Sequence, residues 1–169
     1  MANVKLIPDG YPQISPYLAV DRAADAIVFY TDVFGARERM RMPAPDDKVG
    51  HAELQVGDAL IMLADEFPDM GHRGPKSVGG TPVTINIYVE NVDDVFERAL
   101  QKGAKELRPV ENQFYGDRTG QFEDPFGHRW SVATHVEDVP PDELERRAAP
   151  GVSADSNAAA TPSAIRRSE

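Results

Sequence analysis

Residues 83–89 read VTINIYV, with alternating apolar and polar side chains, and residues 92–102 follow them as VDDVFERALQK. Strict alternation is typical of a half-buried β-strand, because successive side chains in a strand point to opposite faces of the sheet. The second stretch has the pattern of a helix. Gly103 comes directly after it, as a glycine commonly does after the last helical turn. These residues predict a strand followed by a helix.

The same pattern occurs about 69 positions earlier in the chain. Residues 13–20 predict a strand, and residues 23–34 predict an amphipathic helix that is closed by a glycine. A near-constant offset across strand, helix end and hairpin turn predicts an internal duplication. The equivalent pairs are Val20 and Val89, Ile27 and Phe96, Gly35 and Gly103, and Gly57 and Gly127.

Each repeat is completed by three further strands. In the first half, residues 38–42 suggest a short strand, and residues 51–56 and 59–64 predict a hairpin around Gly57-Asp58. The sequence therefore predicts an α+β fold of two βαβββ modules. The expected organisation is an N-terminal arm (1–12), a first module (13–70), a linker (71–81), a second module (82–136) and a tail (137–169). Within the tail we expect a short helix to about Ala148, followed by disorder.

Composition excludes several classes of function. The chain of 169 residues contains 18 basic and 28 acidic residues and no cysteine. Disulfides, thiolate metal sites and a cysteine nucleophile are therefore excluded. A net charge of −10 disfavours nucleic acid as a partner. We expect no membrane span, since no apolar run approaches the roughly 20 residues that a helix needs to cross a bilayer, and a cytoplasmic location, since the N-terminus lacks a signal-peptide pattern.

Six short segments resemble the PhnB-like branch of the vicinal-oxygen-chelate (glyoxalase/bleomycin-resistance) superfamily. They are residues 16–18, 29–36, 51–54, 62–66, 117–120 and, especially, 124–130, which read DPFGHRW. The resemblance covers about residues 13–135. It implies that the eight strands form one open, cup-shaped sheet with the helices outside. It also implies a homodimer, in which each cup is built either within one chain or between two chains.

The resemblance further implies where a metal would bind. Metal-dependent members of the superfamily place one ligand, commonly His or Glu, on each of four strands. These positions fall on Ser15, Met62 (or Ile61 in a register shifted by one), Thr84 and Ser131. Hydroxyl and thioether side chains do not suit a divalent ion that prefers imidazole and carboxylate. We therefore predict no metal and no cofactor, which argues against glyoxalase, extradiol dioxygenase or fosfomycin-type chemistry.

Side-chain alternation predicts which residues line the cup and could bind a ligand. They are Ser15, Tyr17, His51, Glu53, Met62, Thr84, Asn86, Tyr88, Tyr115, Thr119, Gln121 and Ser131. The tyrosines could stack on an aromatic ligand or fill the core. Residues 112–116 could form a lid at the rim. Arg118 could bind a carboxylate or phosphate, or it could form a local ion pair with Asp117 that shapes the turn.

These residues support three hypotheses of function. The first is a protein that binds a small, partly aromatic, neutral or cationic molecule without turnover. The second is an isomerase or lyase in which His51, Glu53 or Tyr88 acts as an acid or base. The third is an interaction module that binds a partner through its tail.

Overall fold

The structure is a computed structural model and describes residues 5–149. The first module forms a mixed sheet in the order β1-β4-β3-β2, in which β1 is parallel to β4 and the other neighbours are antiparallel. Its elements are β1 (Tyr17–Val20), α1 (Ala23–Phe34), β2 (Arg37–Pro43), β3 (Val49–Val56) and β4 (Ala59–Asp65).

The second module repeats this arrangement after a short connecting segment. That segment contains a 3-10 turn (Pro68–Met70) and a one-turn helix, α2 (Pro75–Val78), where the composition suggested only a linker. The second sheet has the equivalent order β5-β8-β7-β6. The elements of this module are β5 (Thr84–Tyr88), α3 (Val92–Gln101), β6 (Lys105–Asn112), β7 (Asp117–Glu123) and β8 (Arg129–His135).

The two modules begin their helices in the same way. Asp65, at the end of β4, accepts a hydrogen bond from the backbone N–H of Ala23, the first residue of α1. Thr134, near the end of β8, accepts one from the backbone N–H of Val92, the first residue of α3. Because the first N–H groups of a helix have no partner inside it, each fourth strand supplies the missing acceptor. Both the helix starts and the two acceptors are 69 positions apart, the offset that the sequence repeat predicts.

The α+β class and the two βαβββ modules are confirmed, but the predicted single eight-stranded sheet is not formed within the described residues. The strands lie in two separate four-stranded sheets, because β1 and β5 do not pair with each other. Helix α1 contacts α3 and packs against both sheets, so it does not lie outside a common sheet. The ring of Phe34 in α1 lies 4.6 Å from that of Trp130 in the second sheet.

The modules are joined by the buried carboxylate of Asp124, in the turn between β7 and β8. Its Oδ2 atom accepts hydrogen bonds from Tyr30 Oη of α1 at 2.7 Å and from Trp130 Nε1 at 2.8 Å. Its Oδ1 atom accepts the backbone N–H groups of Phe126 and His128, both at 2.9 Å, which shapes the turn. Burial, reinforced by the nearby Asp124, holds the pKa of Tyr30 well above its usual value, so the phenol keeps the proton that it donates.

The tail begins with an ordered segment. Helix α4 (Pro141–Ala148) lies where the sequence pattern predicts a short helix. Arg147 of α4 forms a salt bridge with Glu137 and also donates a hydrogen bond to the carbonyl oxygen of Phe114, in the turn between β6 and β7. The predicted disorder concerns residues 150–169, which lie outside the described residues. No helix in the described part of the chain is long and apolar enough to cross a membrane.

Removing the Asp124 carboxylate should destabilise the whole fold. Asp124→Ala leaves a buried phenol, an indole N–H and two backbone N–H groups without their acceptor, and we expect a loss of about 3 kcal/mol or more. Tyr30→Phe removes one of these hydrogen bonds and should cost about 1.5–3 kcal/mol. Urea unfolding at neutral pH measures both. Asp58→Asn, at an exposed position in the β3–β4 turn, is the control. Equal stability of all three variants would contradict this role of Asp124.

Candidate functional site

One face of each sheet turns away from the helices, and we call these two surfaces the open faces. On β3, Ala52 and Leu54 are fully buried in the helix-side core and alternate with His51 and Glu53 on the open face. On β8, Trp130 and Val132 face the helices in the same way. Strand alternation then assigns ten of the predicted residues to the open faces. They are Tyr17, His51, Glu53 and Met62 in the first sheet, and Thr84, Asn86, Tyr88, Thr119, Gln121 and Ser131 in the second.

The other two predicted residues lie outside the strands. Ser15 precedes β1, which is shorter than the predicted strand of residues 13–20, and Tyr115 lies in the turn between β6 and β7. The register pairs Tyr17 with Met62 and, at the equivalent position of the second sheet, Asn86 with Ser131. These four side chains, together with Ser15 and Thr84, do not offer the imidazole and carboxylate ligands that metal-dependent members use. Within residues 5–149, no group of three or more His, Asp or Glu side chains is arranged to hold a metal ion.

The first open face carries a chain of hydrogen bonds that ends in a buried carboxylate. Tyr17 Oη lies 2.9 Å from His51 Nδ1, and His51 Nε2 lies 3.4 Å from Glu53 Oε1. Glu53 is 4% exposed, and both of its oxygens accept the hydroxyl of Tyr11, at 2.9 and 3.0 Å. This hydrogen bond is the main reason that the pKa of Tyr11 is raised, while partial burial raises that of Tyr17. Tyr11 belongs to the N-terminal arm, and nothing in its local sequence pattern indicated this contact.

A cavity of 610 Å³ opens beside Tyr17. Its walls are apolar and aromatic side chains from β1, β4 and the loop that follows β4, with a glycine from β3. The lining residues are Tyr17, Gly50, Ala64, Phe67, Met70 and His72. The last three belong to a segment in which the sequence indicated no binding site.

The second open face carries a different cluster, around the buried carboxylate of Asp117. Tyr88 donates its hydroxyl to Asp117 Oδ2 at 2.6 Å, and His135 Nδ1 lies 2.8 Å from Asp117 Oδ1. The other ring nitrogen of His135 lies 3.0 Å from Asp138 Oδ1. The sequence interpretation named Ser131 on the last strand as a binding residue but did not name His135. Continued alternation from Ser131 would have found it.

The groups of this cluster shift one another's pKa. Burial disfavours ionisation of Asp117, but the hydrogen bonds from Tyr88 and His135 outweigh burial and lower its pKa. The same hydrogen bonds raise the pKa of Tyr88 and of His135, and Asp138 raises that of His135 further. The hydroxyl of Tyr88 therefore keeps its proton at neutral pH and donates it in a hydrogen bond to Asp117, which makes Tyr88 a poor base. The structure also separates it from His51 and Glu53, which lie in the other sheet.

Two smaller expectations about the rim differ from the structure. Arg118 does not pair with Asp117: it forms a salt bridge with Asp93, at the start of α3. The turn at residues 112–116, expected as a lid, is tied to the tail, since the backbone N–H groups of Val136 and Glu137 both donate to the carbonyl oxygen of Gly116. Gly116 has φ +97°, and a Cβ atom there would lie 2.1 Å from the carbonyl oxygen of Glu137. Only glycine, which has no Cβ atom, fits where the backbone of this turn lies against the backbone of Glu137.

The stabilising effect of His135 should depend on pH. Its raised pKa means that its contribution is fully present below the ordinary value of 6.5 and is lost as the pH rises through the raised value. Asp117, whose pKa is lowered, stays ionised over this range. We therefore expect His135→Gln to destabilise the protein more at about pH 6 than at about pH 9, as measured by urea unfolding. In Asp117→Asn, NMR titration should show the pKa of His135 falling back toward 6.5. Identical losses of stability at both pH values would contradict this expectation.

Comparison with known proteins gives consistent matches. The family model described as "Glyoxalase/Bleomycin resistance protein/Dioxygenase superfamily" matches residues 11–132. The uncharacterized protein Rv0887c of Mycobacterium tuberculosis is 47% identical over 137 residues, which cover 79% of this chain and 81% of that protein. The crystal structure of TioX from Micromonospora sp. ML1 matches at 27% identity with a TM-score of 0.59, covering 74% of this chain and 99% of TioX. A PhnB protein from Bacillus cereus has the same fold (18% identity, TM-score 0.60, 73% of this chain and 99% of that one). The chain therefore belongs to the glyoxalase/bleomycin resistance protein/dioxygenase superfamily.

Proposed function

We propose that this protein binds a small, partly aromatic molecule, neutral or cationic, on its open faces, without a metal and without turnover. The observation that carries the proposal is the 610 Å³ cavity beside Tyr17. Ligand sites are typically clefts of about 300–1,000 Å³ with mostly apolar walls and a few polar groups that fix orientation. Here the polar groups of the lining are the hydroxyl of Tyr17, which lies 2.9 Å from His51 Nδ1, and the imidazole of His72.

The lining and the charge of the protein support this class of ligand. Tyr17, Phe67 and His72 contribute aromatic rings to the wall, which favours a planar ligand. The net charge of −10 and the buried carboxylate of Glu53 disfavour an anion and favour a neutral or cationic molecule. An anionic ligand would be repelled by the negative electrostatic potential that these charges produce.

Acid–base catalysis is the alternative that a specific contact supports. The imidazole of His51 lies between Tyr17 and Glu53, an arrangement that could orient it as a general base. Its distance of 3.4 Å to Glu53 is long for an orienting hydrogen bond. Both oxygens of Glu53 already accept the hydroxyl of Tyr11. The binding function is therefore the better supported of the two.

The proposal includes a homodimer with cups shared between chains. In the described residues, β1 and β5 each have a strand partner on one side only. Exposed apolar side chains lie in these strands or next to them, and unpaired edges of this kind are usually covered in native proteins. They are Ile14, Tyr17, Val83 and Tyr88. A second copy of the chain could pair its β5 with this β1 and complete an eight-stranded cup. A cytoplasmic location also remains a prediction.

Aromatic probes of equal size and different charge test the choice of ligand. We expect a neutral phenol and a benzylammonium to bind and a benzoate to bind at least about tenfold more weakly, because the field is negative. NMR titration measures affinity and, from shifts of Tyr17 and His51, the location. Tyr17→Ala should weaken binding about tenfold or more, whereas Val28→Ala, on the exposed face of α1, should not.

Two outcomes would count against this function. Equal binding of all three probes away from Tyr17 would remove the support from the cavity. A probe that is converted rather than returned intact, with conversion abolished in His51→Ala at an unchanged melting temperature, would establish the acid–base alternative instead.

Mixed dimers test where the cups form. Tyr17→Ala alters the first sheet and Gln121→Ala the second, so each homodimer should bind the neutral phenol weakly. If cups form between chains, unfolding and refolding the two variants together yields mixed dimers in which one cup carries both substitutions and the other is intact. Such dimers should regain wild-type affinity at half of their sites. No recovery in a sample that light scattering shows to be dimeric would place each cup within one chain.

A further inference from the structure

Methionine is confined to one of the two modules. Apart from Met1, the chain contains four methionines, and none of them follows residue 70. They are Met40, Met42, Met62 and Met70. Met42 pairs with His51, and Met40 and Met62 lie on either side of Glu53, so that three methionines share the first open face. Met70 lies in the wall of the cavity. The second open face, which comes from the same repeated unit, carries no methionine.

These methionines do not fill the core. Within residues 5–149, no methionine belongs to the cluster of buried core side chains. Met42 is 51% exposed and Met70 is 83% exposed, while Met40 and Met62 are half-buried. Neighbouring exposed apolar side chains commonly mark a binding surface, and flexible thioethers are frequent on surfaces that adapt to their ligands. The position of the methionines therefore indicates binding rather than packing.

The methionines extend the cavity across the sheet. The ring of Tyr17, which lines the cavity, lies 5.5 Å from that of His51 at an angle of 41°. Strand β3, which carries His51, lies between β4, which supplies Ala64 to the cavity, and β2, which carries Met42. Because neighbouring strands are about 4.8 Å apart, the three spacings from β1 to β2 cover roughly 14 Å. This distance is longer than a single aromatic ring.

Two segments limit this surface along the direction of the strands. Beyond the end of β4, the backbone groups of Phe67 and His72 bond to each other in both directions and close the loop that forms the cavity wall. Toward the other end, the hydroxyl of Tyr11 contacts both oxygens of Glu53, and the guanidinium of Arg39 lies 4.8 Å from the centroid of the Tyr11 ring. The space between these segments suits a small flat molecule better than the face of a protein partner.

Resting on the ligand-binding function above, we propose that Met42, Met62 and Met70 determine the specificity of this site, and that they select a flat molecule of two or more fused aromatic rings. One ring lies in the cavity beside Tyr17, and the fused system continues over His51 toward Met42. Thioether sulfurs make favourable contacts with aromatic rings, and the unbranched side chain of methionine adapts to rings of different outline.

The test compares phenol with 2-naphthol, which carries the same hydroxyl on two fused rings, on the full chain. Met42→Ala should weaken the binding of 2-naphthol about fivefold and leave that of phenol unchanged, since only the second ring reaches Met42. Met42→Leu, which keeps an apolar side chain of similar volume, should retain most of the affinity. Val28→Ala, at a similarly exposed position on α1, is the control and should change neither affinity. Calorimetric titration measures all of these affinities.

NMR observes the contacts directly. In protein that is isotope-labelled at the methionine methyl groups, the ring current of bound 2-naphthol should shift the signals of Met42, Met62 and Met70. Phenol, which stays in the cavity, should leave the signal of Met42 unchanged. Substitution of each methionine by Leu assigns the signals.

The outcomes separate this inference from the function on which it rests. If 2-naphthol shifts Tyr17 but not Met42, and binds Met42→Ala as tightly as the wild-type protein, the role of the methionines is overturned and the binding function stands. If Met42→Ala instead loses the dimer in light scattering at an unchanged melting temperature, the methionines contact a second copy of the chain, which also overturns the inference. Failure of phenol, 2-naphthol and benzylammonium to bind the wild-type protein would overturn the binding function itself. A selective loss of 2-naphthol binding in Met42→Ala, together with the shift of the Met42 signal, would establish the role of the methionines.

Discussion

The buried carboxylate of Asp124 is the contact that fixes the two modules relative to each other. Four donors converge on it: two backbone N–H groups of its own turn, the indole of Trp130, and the hydroxyl of Tyr30 from the other module. A charge in the core is tolerated only when its hydrogen bonds are complete. Helix α1 therefore has one favourable position over the second sheet, and the aromatic packing of Phe34 and Trp130 forms around that position.

This arrangement determines which surfaces remain available for binding. The apolar side of each sheet is used by the helices, so the alternating polar residues appear on the open faces. The two open faces then differ in chemistry although they come from one repeated unit. The first combines aromatic walls with the Tyr17–His51–Glu53 chain and a cavity, whereas the second holds Tyr88 and His135 on the carboxylate of Asp117. The aromatic lining of its cavity, next to the Tyr17–His51 contact, makes the first face the better candidate for a binding site.

The repeat also explains why so much of the fold could be predicted. The helix of residues 23–34 and the hairpin around Gly57 were predicted because their periodicity and end signals lie within a few residues of each other. The same local alternation assigned His51 and Glu53 to one face of β3. It failed at β1, where the strand is shorter than its apolar pattern, and at the end of β8, where the alternation was not followed beyond Ser131 and His135 was missed.

The sequence by itself determined the α+β class, the two modules, the offset of 69 between them and most residues of the open faces, since these follow from the spacing of apolar residues along the chain. Only the tertiary structure decided that the strands form two sheets, that Tyr30 meets Asp124 across 94 positions, and that Tyr11 and His72 join the site. Contacts of this kind leave no periodic trace, because they depend on how distant segments pack and on which buried polar groups must find partners.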